Sequence, residues 1–110
     1  MNIFAIEGDD KNIDWVASAQ SQDNYRVVKM ILESCQMLCT NLNYIYKAQV
    51  TPYRSVMLNH PCTIWARESS ANFRALLEHT AALIEEYEER FPGKTHKCKK
   101  VYSICKQLFE

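Results

Sequence analysis

The stretch from Asn24 to about Tyr46 leaves this chain little choice of architecture. Val27, Val28, Met30, Ile31, Leu32, Cys35, Leu38, Cys39, Leu42 and Ile45 recur there at the spacing of an α-helix. They cover more than one face, which predicts a central helix buried on several sides. A thin bundle has little room to cover such a helix completely, so self-association is expected as well. The whole chain has 110 residues, enough for one domain and one core. Its two glycines and three prolines supply little turn material for an all-β fold. The expectation is therefore a single all-α domain over residues 1–110, a compact small bundle of four to five helices, oligomeric.

Further helices follow from the same periodicity and from their caps. Asp9-Asp10 ahead of Lys11–Gln20 reads as a capped short helix with Ile13, Val16 and Ala17 on one face and Trp15 off it. Asp23 is the N-cap candidate for the long helix. Thr51-Pro52 and Asn59-His60-Pro61 break the pattern over 48–60, and Pro61 suits a first helical turn, where a missing N–H costs nothing. A short helix from Pro61 to Ser69 is expected, then a long one from Ser70 to Arg90 carrying Phe73, Leu76, Leu77, Ala81, Leu83 and Ile84. Phe91-Pro92-Gly93 ends it, and a last helix from Thr95 to Phe109 would pack Val101, Ile104, Cys105 and Leu108.

The opening residues carry no basic segment followed by an apolar one, and no window approaches the ~18 apolar residues of a membrane span. A cytoplasmic protein without membrane contact is expected. Five cysteines in helix-like surroundings then read as reduced thiols. Thirteen basic and thirteen acidic residues give a net charge of zero, and a duplex-DNA binder usually shows a basic footprint. No duplex nucleic-acid partner is expected on that ground. The charge is nonetheless uneven: residues 94–106 hold five lysines and no acid, directly after the acidic run 85–89. A solvated helix end followed by a polar tail helix accounts for that pattern.

Chemistry-bearing residues form no familiar catalytic set. Cys35 and Cys39 are a helical turn apart, while His60/Cys62 and His96/Cys98 are two positions apart; none makes a C-x-x-C or H-E-x-x-H arrangement. No metal and no cofactor is expected. Cys62 or Cys98 beside a histidine is a nucleophile candidate, but no third orienting group is visible. No glycine-rich phosphate loop exists. These absences argue against an enzyme.

The segment 59–73 does stand out, because it crowds polar and cationic groups where a loop runs into a helix, a setting that favours anions. Arg67 there suits a bidentate phosphate contact. Asn72 can read a base edge, and Trp65 or Tyr53 can stack on a base. Asn59 and His60 lie at the helix cap, and Arg26 and Lys29 share one face of the long helix. The same residues are equally suited to plain capping, pairing and packing.

Three stretches resemble a family of short bacteriophage proteins: Met1-Asn2-Ile3-Phe4-Ala5; Val27 to Ser34 with Gln36-Met37-Leu38; and Asn59-His60-Pro61-Cys62 through Trp65-Ala66-Arg67, Ser69 and Asn72. Glu86-Tyr87, Arg90, Gly93-Lys94 and His96-Lys97 match more weakly. The chain resembles the phage anti-CBASS sponge proteins, compact helical homotetramers that sequester cyclic oligonucleotide alarm signals. The resemblance implies a non-catalytic protein in the cytoplasm of an infected bacterium, a tetramer, and a cyclic dinucleotide ligand. Phosphate contacts would come from Arg26, Lys29, Arg67 and Lys97. Base or ribose contacts would come from Asn59, His60, Asn72 and an aromatic among Tyr25, Tyr53 and Trp65. Family members carry a histidine just before the Val-Val-Lys-Met run, where this chain has Arg26, and that departure bears on ligand preference. Two other readings compete: a small DNA-repair enzyme of the glycosylase kind, against which the neutral pI of 6.8 counts, and an adaptor that binds a host protein through an apolar helix.

Overall fold

Five helices and no strands are present in the computed structural model, which describes residues 15–20 and 22–110 apart from the Val16 side chain. They are α1 (Trp15–Gln20), α2 (Asn24–Tyr46), α3 (Pro61–Arg67), α4 (Ser70–Arg90) and α5 (Lys99–Phe109). The expected Asp9-Asp10 cap, the Lys11 start, Ile13 and the matching stretch 1–5 lie outside the described residues. Among the described residues, no helix is long and apolar enough to cross a membrane.

Each helix starts for a local reason. The Asp23 carboxylate accepts the Arg26 N–H at 2.8 Å, satisfying one of the free donors of the first α2 turn. Ser69 caps α4 through its hydroxyl, which accepts the Asn72 N–H at 3.0 Å. His60 caps α3 with ring Nδ1 accepting the Cys62 N–H, and Pro61 occupies the first turn. Lys47 ends α2 in the left-handed region at φ 56°, its N–H returning to the Asn43 and Tyr44 carbonyls.

The last helix begins at Lys99 rather than Thr95. Nδ1 of His96 accepts the Cys98 N–H at 3.1 Å, and the Lys94 N–H returns to the Phe91 carbonyl. Residues 91–98 therefore form turns around the His96 ring, with Gly93 at φ +82°, where a side chain would be strained.

α2 and α4 pack along each other, α1 lies on α4, and α3 and α5 each contact both long helices. Val27, Met30, Ile31, Cys35, Met37, Leu38, Cys39 and Leu42 are buried against Phe73, Leu76, Leu77, Leu83 and Ile84. Most of the apolar excess of α2 is thus covered within one chain as far as Asn43, with Val28 and Leu32 left exposed. Beyond it Tyr44, Ile45 and Tyr46 are exposed. Four thiols sit where α5 meets α2: Cys35 Sγ faces the Cys98 carbonyl at 3.7 Å, and Cys39 and Cys105 sulfurs are 3.6 Å apart. All five cysteines are free.

Candidate functional site

The residues singled out from the sequence do not converge on one site. They fall at opposite ends of α2. From Val28 to Asn41 the helix rises ~20 Å at ~1.5 Å per residue, and that span separates two polar regions of different character.

At the far end, polar side chains are turned inward to hold the 48–60 loop. Asn43 Oδ1 accepts from the Val50 N–H, the Thr51 N–H and the Thr51 hydroxyl; its Nδ2 donates to the Tyr53 carbonyl and Ser55 Oγ. Thr40 Oγ1 both donates to the Val56 carbonyl and accepts its N–H. Asn41 Nδ2 donates to the Thr63 carbonyl. Arg67 belongs to this lattice. Its Nη1 donates to the Leu58 carbonyl at 2.6 Å and to Asn41 Oδ1 at 3.4 Å, and its guanidinium lies 4.7 Å from the Tyr44 ring centroid. Nη1 of Arg67 is thus committed to oxygens of the protein itself. Tyr53 points into the thiol cluster, its hydroxyl 3.1 Å from Cys98 Sγ. That contact raises the Tyr53 pKa above the phenol range, and burial adds to it. Asn59 is exposed, and His60 is half-buried as the α3 cap. Asn72 Nδ2 donates to the Trp65 carbonyl at 2.8 Å, closing the α3–α4 corner, and Trp65 packs against the core.

At the near end, cations face outward. Arg26, Lys29 and Glu33 follow one side of α2 at i, i+3 and i+7. Arg26 and Lys29 are exposed and Glu33 half-buried. Lys29 Nζ sits 5.9 Å from the centroid of Tyr25, a ring that is 72% exposed. Arg90 fixes this turn from below: it pairs with Glu86 at 2.7 Å and also donates to Asn24 Oδ1 and the Gln20 carbonyl. One arginine thus ties the end of α4 to the end of α1 and the start of α2.

The 91–98 turns join the same region, because His96 Nε2 lies 3.3 Å from the Val28 carbonyl. Its ring meets Tyr87 edge-on at 5.1 Å. Lys97 projects beside it into a groove of about 510 Å³ whose lining includes Thr95, Lys97, Lys100, Ser103, Ile104 and Gln107. The sequence showed the lysine run; reading the helix from Thr95 concealed the turns that aim it.

The thiols between α2 and α5 offer no open nucleophile, and Cys62 on α3 is partly exposed. Cys98 is drawn below the usual thiol range, first by its hydrogen bond with Cys35, with the Tyr53 hydroxyl and His96 assisting against burial. Yet Cys98 is fully buried, so a substrate atom has no approach to it. Among the described residues no cluster of three or more His, Cys, Asp or Glu side chains is arranged to hold a metal ion. His79 is a further buried polar group. It is fully enclosed, 5.0 Å from the Trp15 ring, with both ring nitrogens unpartnered. Burial alone lowers its pKa to about 4, because desolvation penalises the charged ring.

The sequence model of the pyrimidine dimer DNA glycosylases matches residues 1–100, and the chain belongs to that family. No curated protein and no solved structure matches significantly.

This membership overturns the expectation of a non-catalytic sponge for cyclic oligonucleotides. With it go the expectations that the chain is not an enzyme, that its partner is a cyclic dinucleotide and that duplex nucleic acid is excluded. The inference from charge failed because it averaged over the molecule. Net charge is zero, yet the acidic run lies on α4 while the lysines gather on the 91–98 turns and α5. A phosphate backbone responds to the local field, not to the total.

Proposed function

We propose that this protein is a DNA glycosylase that cleaves the N-glycosidic bond of one nucleotide of a pyrimidine dimer, leaving an abasic sugar while the freed base stays joined to its neighbour through the dimer. Family membership over residues 1–100 carries the reading. The cationic end of the fold supports it. Breaking the N-glycosidic bond leaves the electron pair on the base nitrogen, which takes up a proton, and develops positive charge on the sugar, whose C1′ is then bonded by water that gives up a proton. A carboxylate near that sugar stabilises the charge, and cations hold the flanking phosphates.

The face of α2 formed by Arg26, Lys29 and Glu33 offers both in one helical stripe. Arg26 and Lys29 hold phosphate there, and Glu33 faces the sugar. Tyr25, exposed beside Lys29, stacks on a base displaced from the duplex, a contact worth ~1–3 kcal/mol. Association between copies, expected from the long apolar helix, keeps one candidate surface at Tyr44, Ile45, Tyr46 and Met57; sedimentation of the purified protein reads it directly.

The test is incubation with an end-labelled duplex carrying one pyrimidine dimer, followed by alkali to cut at any abasic sugar. A labelled fragment ending at the dimer, absent from undamaged duplex, supports the reading. No such fragment over a full range of salt and pH would overturn it. Glu33→Gln should slow the reaction about 100-fold or more, within the range usual for a positioned carboxyl group, with duplex binding retained.

A further inference from the structure

The groove on α5 lies beyond the α2 face just described, and its composition is selective. Lys100, Ser103, Ile104 and Gln107 follow one stripe of the helix at i, i+3, i+4 and i+7, with Lys97 and Thr95 at its upper end. Neither Lys97 nor Lys100 has an ion-pair partner among the described residues, and both are exposed. Lys99, between them in sequence, also borders the groove, but its Nζ is neutralised by Glu88, contacting both carboxylate oxygens at 3.1 and 2.9 Å. Of the three lysines bordering the groove, Lys97 and Lys100 therefore keep charges with no ion-pair partner among the described residues.

The remaining lining groups suit a particular ligand. The Thr95 and Ser103 hydroxyls and the Gln107 amide are neutral donors, and Ile104, 37% exposed, gives an apolar floor. Cations, neutral donors and a small apolar surface match phosphate, phosphodiester oxygen and deoxyribose in turn. From Lys100 to Gln107 the stripe runs ~10 Å, the axial length of about three nucleotides of one strand. The groove is held in shape before any ligand arrives, because His96 pins the turns to α2 through the Val28 carbonyl and to Cys98 through its other nitrogen.

We propose that this groove holds the undamaged DNA backbone flanking the lesion. It rests on the glycosylase reading for its place in a reaction, though not for its chemistry. Lys97 and Lys100 set affinity and salt dependence; they do not touch the sugar or base that reacts.

The test compares wild type with the double variant Lys97→Gln/Lys100→Gln, with Arg54→Gln as a surface control. Binding to an undamaged duplex is measured against salt, excision from a dimer-bearing duplex is measured alongside, and anionic phospholipid vesicles serve as the competing surface. The double variant should lose about two phosphate contacts, flattening the slope of log K against log salt by ~1.8. KM for the damaged duplex should rise with kcat unchanged, and the thermal midpoint and the Arg54→Gln control should stay at wild-type values. An unchanged slope in the double variant, or wild type that binds vesicles and not duplex, would overturn the groove assignment. Wild type that binds duplex through these lysines but excises nothing would leave the groove standing and remove the glycosylase reading instead.

Discussion

The 48–60 loop and the 91–98 turns are built from the same kinds of residue and put them to opposite uses. In the first, Asn43 alone makes five hydrogen bonds to loop groups, and Arg67 and Asn41 close the rest. In the second, His96 does the holding and the lysines are left outside. A polar residue in a loop is therefore not evidence of a ligand until its partners are counted. The loop richest in recognition-type residues is the one that has already satisfied them.

The largest effect that would sharpen this contrast is expected at Asn43. Asn43→Ala strands several buried loop groups, at ~1–3 kcal/mol for each group left unsatisfied. A loss of ~3 kcal/mol or more in urea unfolding is expected, without a matching change in DNA affinity at temperatures where the variant stays folded. A stable Asn43→Ala protein would break the comparison, since the loop would then not depend on its interior lattice.

His79 tests the case of a buried polar group with no hydrogen-bond partner among the described residues. Its folded pKa of about 4 lies below the ordinary ~6.5 of an unfolded chain, so the unfolded state binds the extra proton. Stability is complete above about pH 6.5, falls as the pH drops towards 4, and levels off below that. The loss is on the order of 3 kcal/mol at 1.36 kcal/mol per pKa unit. His79→Phe, which keeps the ring against Trp15, should flatten that part of the stability–pH curve. A variant with the wild-type acid slope would show that His79 is not its source.

Arg67→Lys comes next. An ammonium cannot reproduce the flat contact with Tyr44 together with the bond to the Leu58 carbonyl, and a loss of ~1–2 kcal/mol is expected. DNA binding should fall no further than stability does. A selective loss of binding would mean that Arg67 acts outward after all. The smallest effect is expected at Glu88→Gln. An exposed pair contributes ~0–1 kcal/mol to stability, but releasing Lys99 adds a free cation beside the groove. Duplex affinity should rise slightly at low salt, with a steeper salt dependence. Unchanged binding would place Lys99 beyond reach of the DNA.

The start of α2 was legible because an apolar period and a capping side chain agree at Asp23; α4 was legible from its apolar period alone, its Ser69 cap having been read as the end of the preceding helix. α5 was misread by four residues, from Thr95 to Lys99. A histidine ring that accepts the Cys98 N–H leaves no local pattern distinguishing it from helix. The ends of the site were less legible still. Whether Arg67 faces solvent or the Leu58 carbonyl depends on the path of a thirteen-residue loop, which periodicity does not encode. Arg26 and Lys29 were visible as a shared face. Glu33, one turn further on the same side, was passed over because it lies within a run of apolar residues.

The thiol cluster has a practical consequence. Cys35, Cys39, Cys98 and Cys105 are buried between α2 and α5, and only Cys62 is partly exposed. An alkylating reagent added to the native protein should modify Cys62 first and reach the other four as α5 lifts from α2. The rate of that slower labelling is a clock for local opening, because each modified sulfur records one departure of the groove-bearing helix. If duplex DNA bridges the α2 face and the groove, its addition should slow the clock for these four thiols and leave Cys62 unaffected.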